Sequence, residues 1–276
     1  MSTRRPPRRR RGGSDLFLRI LWAIPAIAYA IFIIVAGGWI FAIGVLVLGF
    51  VCLHELYRMY ESLRPVKLAG FLGIAGLAVA AMEGGERQVL MALVAFVPVL
   101  FLLALAVPRR EGTTLTEGMA ITMLGVVWVG MAIAHAILLR ETSHGDGIIV
   151  DILVGTFLGD TCAYLGGRWF GTHKLAPRVS PNKTVEGLVL GFLGAVLFTW
   201  AAGLYQDWLS GTDALLLGVA VGLTAPLGDL MESAIKRDAG TKDAGTLFGA
   251  HGGALDRLDA AFFTLVAGYY VWLAVM

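Results

Sequence analysis

Between Ser233 and Asp259 the sequence places charged residues and glycines between two long apolar segments. The ionisable residues of this stretch are Lys236, Arg237, Asp238, Lys242, Asp243, His251, Asp256, Arg257 and Asp259. Carboxylates and cations at the ends of membrane-grade helices, beside glycines that allow close backbone approach, are the groups that a metal and phosphate site requires. We therefore predict that this stretch binds a metal ion together with a phosphorylated substrate.

The segment before this stretch, APLGDLMESAIKR, predicts a helix with one polar face. At 100° per residue, Asp229, Ser233 and Lys236 occupy a sector of about 60°. Asp256 and Asp259 lie one turn apart at the start of the last apolar segment, where a helix N-terminus favours acids, so Asp259 alone indicates little. Asp229 and Asp256, on two helices that we expect to be adjacent, are the predicted metal ligands. Mg²⁺ usually takes one or two carboxylates and leaves its other positions to water and substrate phosphates.

Two acids lie inside other apolar segments. Asp160, one turn before Tyr164 in GDTCAYLGGRWFG, should face a cavity or a partner, because an acid inside a membrane is energetically unfavourable. We interpret it as a site residue, and a structural hydrogen bond is the alternative. Glu55, near the end of the second apolar segment, fits an interfacial and a functional position equally well.

The stretch RVSPNKTVEG precedes another apolar segment. Ser180 followed by Pro181 predicts a helix start at this point. Lys183 and Thr184 would then lie in the first turn, where free backbone N–H groups and the helix dipole favour an anion. We interpret these two residues as phosphate ligands. The glycine spacing of a P-loop is missing here.

The composition indicates an all-α polytopic integral membrane protein. The chain has 276 residues, of which 57% are hydrophobic and 15% are charged, and apolar runs of about 20 residues, the length that crosses a bilayer, recur along it. About nine transmembrane helices are predicted, at 17–36, 38–56, 67–82, 88–107, 118–139, 148–168, 185–205, 213–236 and 255–275. Two separate cysteines, Cys52 and Cys162, indicate neither a disulfide framework nor a zinc site.

The distribution of Lys and Arg predicts the orientation. With the N-terminus in the cytoplasm, 20 of the 22 basic residues fall on the cytoplasmic side, and only Arg87 and Arg140 fall outside. We divide the chain into a disordered, Arg-rich cytoplasmic tail at 1–16, N-terminal transmembrane helices at 17–143 that act as a scaffold and could mediate oligomer contacts, and C-terminal helices at 144–276 that carry the catalytic site. The basic tail is interpreted as a membrane flank rather than a nucleic-acid arm.

Several of these motifs together resemble one family. The run SAIKR, then Lys242 and Asp243, then HGGALDRLD from His251 to Asp259, is similar to the signature of the phosphatidate cytidylyltransferases, the CDP-diacylglycerol synthases. GDTCAYLGGRWFG and SPNKTVEG also resemble that family, and the similarity extends over about 17–276. The departures, at Ala254 and at Phe248–Gly249, concern loop packing and leave the ionisable pattern intact.

The resemblance implies that CTP and phosphatidic acid react at the cytoplasmic face of a multi-pass protein of the inner (cytoplasmic) membrane, giving CDP-diacylglycerol and pyrophosphate. It implies Mg²⁺, with K⁺ as a candidate second cation, at Asp229 and Asp256, and no nucleic-acid partner; a homodimer is compatible with it. The implied catalytic residues are Asp229, Asp256, Lys236, Ser233, Asp243 and His251. The implied substrate-binding residues are Lys183, Thr184, Arg237, Lys242, Arg257, Asp160 and Tyr164.

Two other classes of function remain open at this point. A cation-coupled transporter would use Asp160 and Asp229 as relay acids and would need polar residues along a path through the bilayer. Another enzyme of lipid head-group chemistry, such as a CTP-dependent lipid alcohol kinase, would transfer the γ-phosphoryl group of CTP and release CDP. A CDP-alcohol phosphotransferase would need the spaced D-G…A-R…G…D…D arrangement, which this sequence lacks.

Overall fold

A computed structural model describes residues 13–108, 112–245 and 252–276, with the side chains of the first helix described from residue 24 onward. Within these ranges the chain forms nine long helices, a short 3₁₀ helix at Glu61–Leu63 and one β-hairpin. The helices are α1 Gly13–Ala36, α2 Gly38–Met59, α3 Lys67–Gly84, α4 Glu86–Ala106, α5 Leu115–Arg140, α6 Gly145–Phe170, α7 Val185–Gly203, α8 Gly211–Asp238 and α9 Leu255–Val275. The strands are β1 Lys174–Ala176 and β2 Ser180–Thr184.

The helices confirm the prediction of an all-α polytopic membrane protein. Eight of them, α2 to α9, are long and apolar enough to cross a bilayer, and the part of α1 whose side chains are described, Ile24–Ala36, is a shorter apolar helix. Their bounds differ from the predicted spans by a few residues. α5 contains one π-helical turn, Val126–Gly130. The predicted orientation and the proposed domain division stay predictions.

The predicted helix start at Ser180 and Pro181 is wrong. Residues Ser180–Thr184 form β2, which pairs antiparallel with β1. Thr184 has extended backbone angles, φ −126° and ψ 156°, and its hydroxyl accepts the Gly187 N–H at 3.2 Å, so it caps α7, which begins at Val185. Pro181 is tolerated because a strand in a two-stranded sheet has a free edge. Thr184 is therefore the N-cap, and Lys183 lies outside the first turn.

Small residues bring α6 and α7 into close contact. A Cβ on Gly155 would overlap the Thr199 hydroxyl, and a Cβ on Gly159 would lie 2.9 Å from the Ala195 Cβ. On the facing helix, a Cβ on Gly191 would lie 2.7 Å from the Ala163 Cβ. Gly187 packs against α6 in the same way, since its Cβ would lie 2.8 Å from the Ala163 carbonyl oxygen. Stripes of small residues are how membrane helices approach each other without a hydrophobic drive.

Glycines also bring α8 against its neighbours. Gly218 packs against the backbone of Val196 on α7, and Gly222 packs against Phe192 one turn further along. Ten residues further along α8, Gly228 packs against α9, where a Cβ would overlap the carbonyl oxygen of Asp259. This last contact places the functional ends of α8 and α9 side by side.

The N-terminal helices are joined by buried hydrogen bonds. The Tyr57 hydroxyl on α2 donates to the Thr122 carbonyl oxygen on α5 at 3.0 Å. The Thr122 hydroxyl accepts the Val66 N–H at 2.8 Å and donates to the Gly118 carbonyl at 2.7 Å. Because all these groups are withdrawn from solvent, each bond satisfies a polar atom that would otherwise destabilise the fold.

The packing gives a first prediction. Gly218→Ala should lower the thermal unfolding midpoint in detergent, because its methyl group would lie 2.9 Å from the Val196 Cα and 3.0 Å from the Val196 carbonyl oxygen. Overpacking of this kind costs about 1–3 kcal/mol. Gly76→Ala on α3 is the matched control: no atom lies within 4 Å of its Cβ position, and alanine favours the helix by about 1 kcal/mol. Equal midpoints for the two variants would contradict the proposed close contact.

Candidate active site

A cavity of about 660 Å³ opens at the end of the bundle where α6 and α8 end and α7 and α9 begin. Its walls come from these four helices and from the hairpin. The charged residues of the lining are five acids, Asp160, Asp229, Glu232, Asp256 and Asp259, and three bases, Arg168, Lys183 and Lys236. Fully ionised, the lining therefore has an excess of two negative charges.

Three of the acids form a cluster that could hold a metal ion. One carboxylate oxygen from each of Asp229, Glu232 and Asp259 lies within 4.8 Å of the other two. Asp229 and Glu232 are one turn apart on α8, and Asp259 is on α9, which approaches α8 at Gly228. Glu232 and Asp259 are buried, at 2% and 8% exposure. Buried acids this close together repel each other and require positive charge nearby.

Two lysines provide part of that positive charge. The Lys183 ammonium lies 2.5 Å from Asp229 Oδ2. The Lys236 ammonium bridges two acids, 2.6 Å from Glu232 Oε2 and 2.7 Å from Asp256 Oδ1. The other Glu232 oxygen, Oε1, is buried and accepts no hydrogen bond from the described residues. The cluster thus offers carboxylate oxygens, one of them unpaired, which is the donor chemistry that Mg²⁺ prefers.

Asp256 lies beside this cluster with its own set of partners. Besides Lys236, it accepts the Gly253 N–H at 2.6 Å and the Ala244 N–H at 3.1 Å on Oδ2. The side chain therefore ties the start of α9 to the loop after α8. The predicted role of Asp256 as a metal ligand stays a prediction, and the group of acids that the structure brings together is Asp229, Glu232 and Asp259.

Several predicted site residues line the same cavity. Asp160, Tyr164 and Thr184 are all part of its wall, and Asp160 is exposed to it. Ser233 stands next to the cluster, with its hydroxyl 3.5 Å from Asp229 Oδ1, at the limit of a hydrogen bond.

The remaining predicted residues do not line the cavity. Arg237 is exposed and its Nε donates to the Val179 carbonyl oxygen of the hairpin at 3.3 Å. Lys242 and Asp243 are exposed on the loop after α8, and Arg257 is exposed in the first turn of α9. His251 lies outside the described residues.

Sequence reasoning missed Glu232 and gave Asp259 too little weight. The signal for Glu232 was present, because it lies three residues after Asp229 and four before Lys236, on the same helical face. Asp259 was attributed to the helix dipole. Only the contact at Gly228 shows that its carboxylate joins the other two.

Comparison with known proteins shows similarity along almost the whole chain. A model of the cytidylyltransferase family matches residues 17–275. A Bacillus subtilis protein named phosphatidate cytidylyltransferase is 32% identical over 270 residues, which cover 93% of this chain and 97% of that protein. Proteins of the same name from Staphylococcus aureus and Staphylococcus saprophyticus are 31% and 29% identical, each over 90% of this chain and 95% of its own length.

The lysine bridge gives a second prediction. Lys236→Met should destabilise the fold by about 3–5 kcal/mol, because it leaves Glu232 and Asp256 without their cation in a site where these side chains are only 2% and 11% exposed. Thermal unfolding in detergent measures the effect. Lys67→Met removes an ion pair with Glu61 whose side chains are 41% and 58% exposed, and should change stability by under about 1 kcal/mol. Similar losses in the two variants would contradict the importance of the buried bridge.

Proposed function

The chain belongs to the cytidylyltransferase family, and we propose that it is a phosphatidate cytidylyltransferase of the cytoplasmic membrane. It converts CTP and phosphatidic acid to CDP-diacylglycerol and pyrophosphate, a step of phospholipid biosynthesis. The observation that carries this proposal is the acid and lysine cluster at the wall of a cavity that opens at one end of a membrane-spanning bundle. A lipid phosphate and a water-soluble nucleotide can meet only where such a bundle reaches the aqueous phase.

In the reaction, a phosphate oxygen of phosphatidic acid attacks the α-phosphorus of CTP. The bond between that phosphorus and the oxygen bridging to the β-phosphorus breaks in line, and pyrophosphate leaves. Such a transfer requires positioning and charge neutralisation more than a covalent nucleophile. Lys183 and Lys236 are paired with acids in the cavity. Their ammonium groups can bind phosphate oxygens there. Arg168 adds a third positive charge to the wall.

We propose Mg²⁺ as the cofactor, held by Asp229, Glu232 and Asp259, with Asp256 as a neighbouring acid and K⁺ as the candidate second cation. When bound, such ions neutralise the charge on the phosphate oxygens of the substrates. The fit rests on three carboxylates with oxygens within 4.8 Å of each other and on the unpaired Glu232 Oε1. Arg237, Lys242 and Arg257 are proposed to bind substrate phosphates. Ser233 is proposed to line the metal site, and Asp243 and His251 to position the substrate or support the metal ligands.

We further propose that the cavity opens to the cytoplasm, where CTP is available. The support is the bias of Lys and Arg towards the loops at this end of the bundle.

The N-terminal helices could also join two copies of the chain. On α4 the side chains of Leu90, Val94 and Leu102 are 60–64% exposed, and that apolar surface is available to lipid and to a second copy alike.

The reaction itself gives a third prediction. Purified protein with Mg²⁺, phosphatidic acid and CTP should transfer the label of α-³²P CTP to lipid and leave that of γ-³²P CTP in pyrophosphate. Thin-layer chromatography of the lipid extract measures both. Transfer of the γ label would identify a lipid kinase. Absence of both labels from lipid would contradict the proposed enzyme and favour the transporter.

The metal cluster gives a fourth prediction. Asp259→Asn and Glu232→Gln should each weaken Mn²⁺ binding, measured by electron paramagnetic resonance, at least tenfold, since each removes a charged ligand. Asp146→Asn, an exposed acid in the first turn of α6 at the opposite end of the bundle, should leave binding unchanged. Asp256→Asn should abolish turnover in folded protein, and its Mn²⁺ affinity tells whether that acid is also a ligand. Unchanged binding in the first two variants would contradict the proposed ligand set.

A further inference from the structure

Glu55 on α2 lies far from the acid cluster in sequence but contacts the start of α9 directly. The residue is buried, at 5% exposure. Its Oε1 accepts the Ala254 N–H at 3.1 Å, and its Oε2 accepts the Leu255 N–H at 2.9 Å. Ala254 is the residue before α9 and has no side chain that could cap the helix. The free N–H groups that begin α9 are therefore capped by a carboxylate from another helix.

Two glycines, Gly245 after α8 and Gly253 before α9, lie directly against this carboxylate. A Cβ on Gly245 would overlap Oε1 of Glu55, and a Cβ on Gly253 would overlap Oε2. Asp256 accepts the neighbouring Gly253 N–H, and it also accepts the Ala244 N–H from the segment after α8. Asp256 and Glu55 thus accept the three consecutive N–H groups of Gly253, Ala254 and Leu255. A shift of the Glu55 carboxylate would therefore shift the backbone that holds Asp256.

The end of α2 also holds α8 and the loop that follows it. The Tyr60 hydroxyl donates to the Ile235 carbonyl oxygen, next to Lys236, at 2.9 Å. The Thr241 hydroxyl lies 3.6 Å from the Met59 sulfur. Three contacts from a single helix end therefore reach the two helices that carry the acid cluster and the segment that joins them.

We propose that Glu55 is a positioning residue of the transferase reaction. It fixes the start of α9, and through it Asp256 and the Lys236 bridge, without touching the substrates, since it is absent from the lining of the cavity. This inference rests on the proposed function. A carboxylate suits the role because it offers two acceptors for two N–H groups and a negative charge at a helix N-terminus.

Kinetics of Glu55→Gln test the proposal. The amide keeps the size of the side chain but presents an NH₂ group to one of the two N–H donors. We expect kcat to fall about tenfold to hundredfold, as a small misplacement of catalytic groups produces, while KM for CTP changes less than about threefold. Thr122→Ala, which removes a buried hydroxyl bonded within the N-terminal helices, should lower the unfolding midpoint and leave kcat unchanged. An unchanged kcat in Glu55→Gln would overturn the proposal.

A double-mutant cycle tests the same contact from its other side. Gly253→Ala should lower kcat because its methyl group displaces the Glu55 carboxylate. In the Glu55→Ala background there is no carboxylate to displace, so the same substitution should lower kcat less than about threefold further. Effects that multiply fully would show that the two residues act independently, and this would also overturn the proposal.

Hydrogen–deuterium exchange gives a readout that does not depend on turnover. In Glu55→Gln, peptides covering 252–258 should exchange faster than in the wild type, and those covering 145–170 should not change. Unchanged exchange at 252–258 would overturn the positioning role even if the wild type proves active. A wild type that makes no CDP-diacylglycerol would overturn the proposed function, and exchange would still decide whether Glu55 holds the start of α9.

Discussion

The burial of carboxylates at one end of a membrane-spanning bundle is the constraint on which the rest of the structure depends. Glu232 and Asp259 are nearly inaccessible, and Asp229 lies within reach of both. Charges withdrawn from water and held close together are tolerated only with compensating charge or a bound cation. Lys236 compensates Glu232 and Asp256, and Lys183 compensates Asp229. The excess of negative charge that is left in the cavity is what makes a cation part of the proposed reaction.

Such a cluster can form only if the backbones around it approach closely. Gly228 removes the side chain that would keep α8 away from the Asp259 carbonyl, and Gly159 and Gly191 do the same between α6 and α7. Because membrane helices gain little from hydrophobic contact with each other, small residues decide where they touch. Gly228 thus sets the distance between the acids of α8 and Asp259 on α9, and Gly159 and Gly191 bring together the two helices of the opposite cavity wall.

The sequence predicted the spans well, because hydropathy over about 20 residues reports directly on crossing a bilayer. It also indicated Asp229, Lys236, Asp160 and Lys183, which stand out as charges beside or within apolar segments. It misplaced the start of α7, because Ser180–Pro181 suits a strand as well as a helix start, and strand pairing with Lys174–Ala176 decided between them. Whether Asp259 joins the acid cluster or only interacts with its own helix dipole depends on which helices are neighbours. The contact of Glu55 with α9 depends on the same thing. A single sequence carries no signal for that.

The packing of α6 bears on the choice between an enzyme and a transporter. Besides Asp160, this helix carries the buried acid Asp151 further from the cavity, where it accepts a hydrogen bond from Gln206 Nε2 at 3.1 Å. Between Asp151 and Asp160 the helix is in close contact with α7, at Gly155 against Thr199 and at Gly159 against Ala195. A relay of ions across the bilayer would need space along this interval, and small residues packed against α7 occupy it instead. The arrangement therefore favours chemistry that is confined to one end of the bundle. Asp151 then serves a structural role towards the other end.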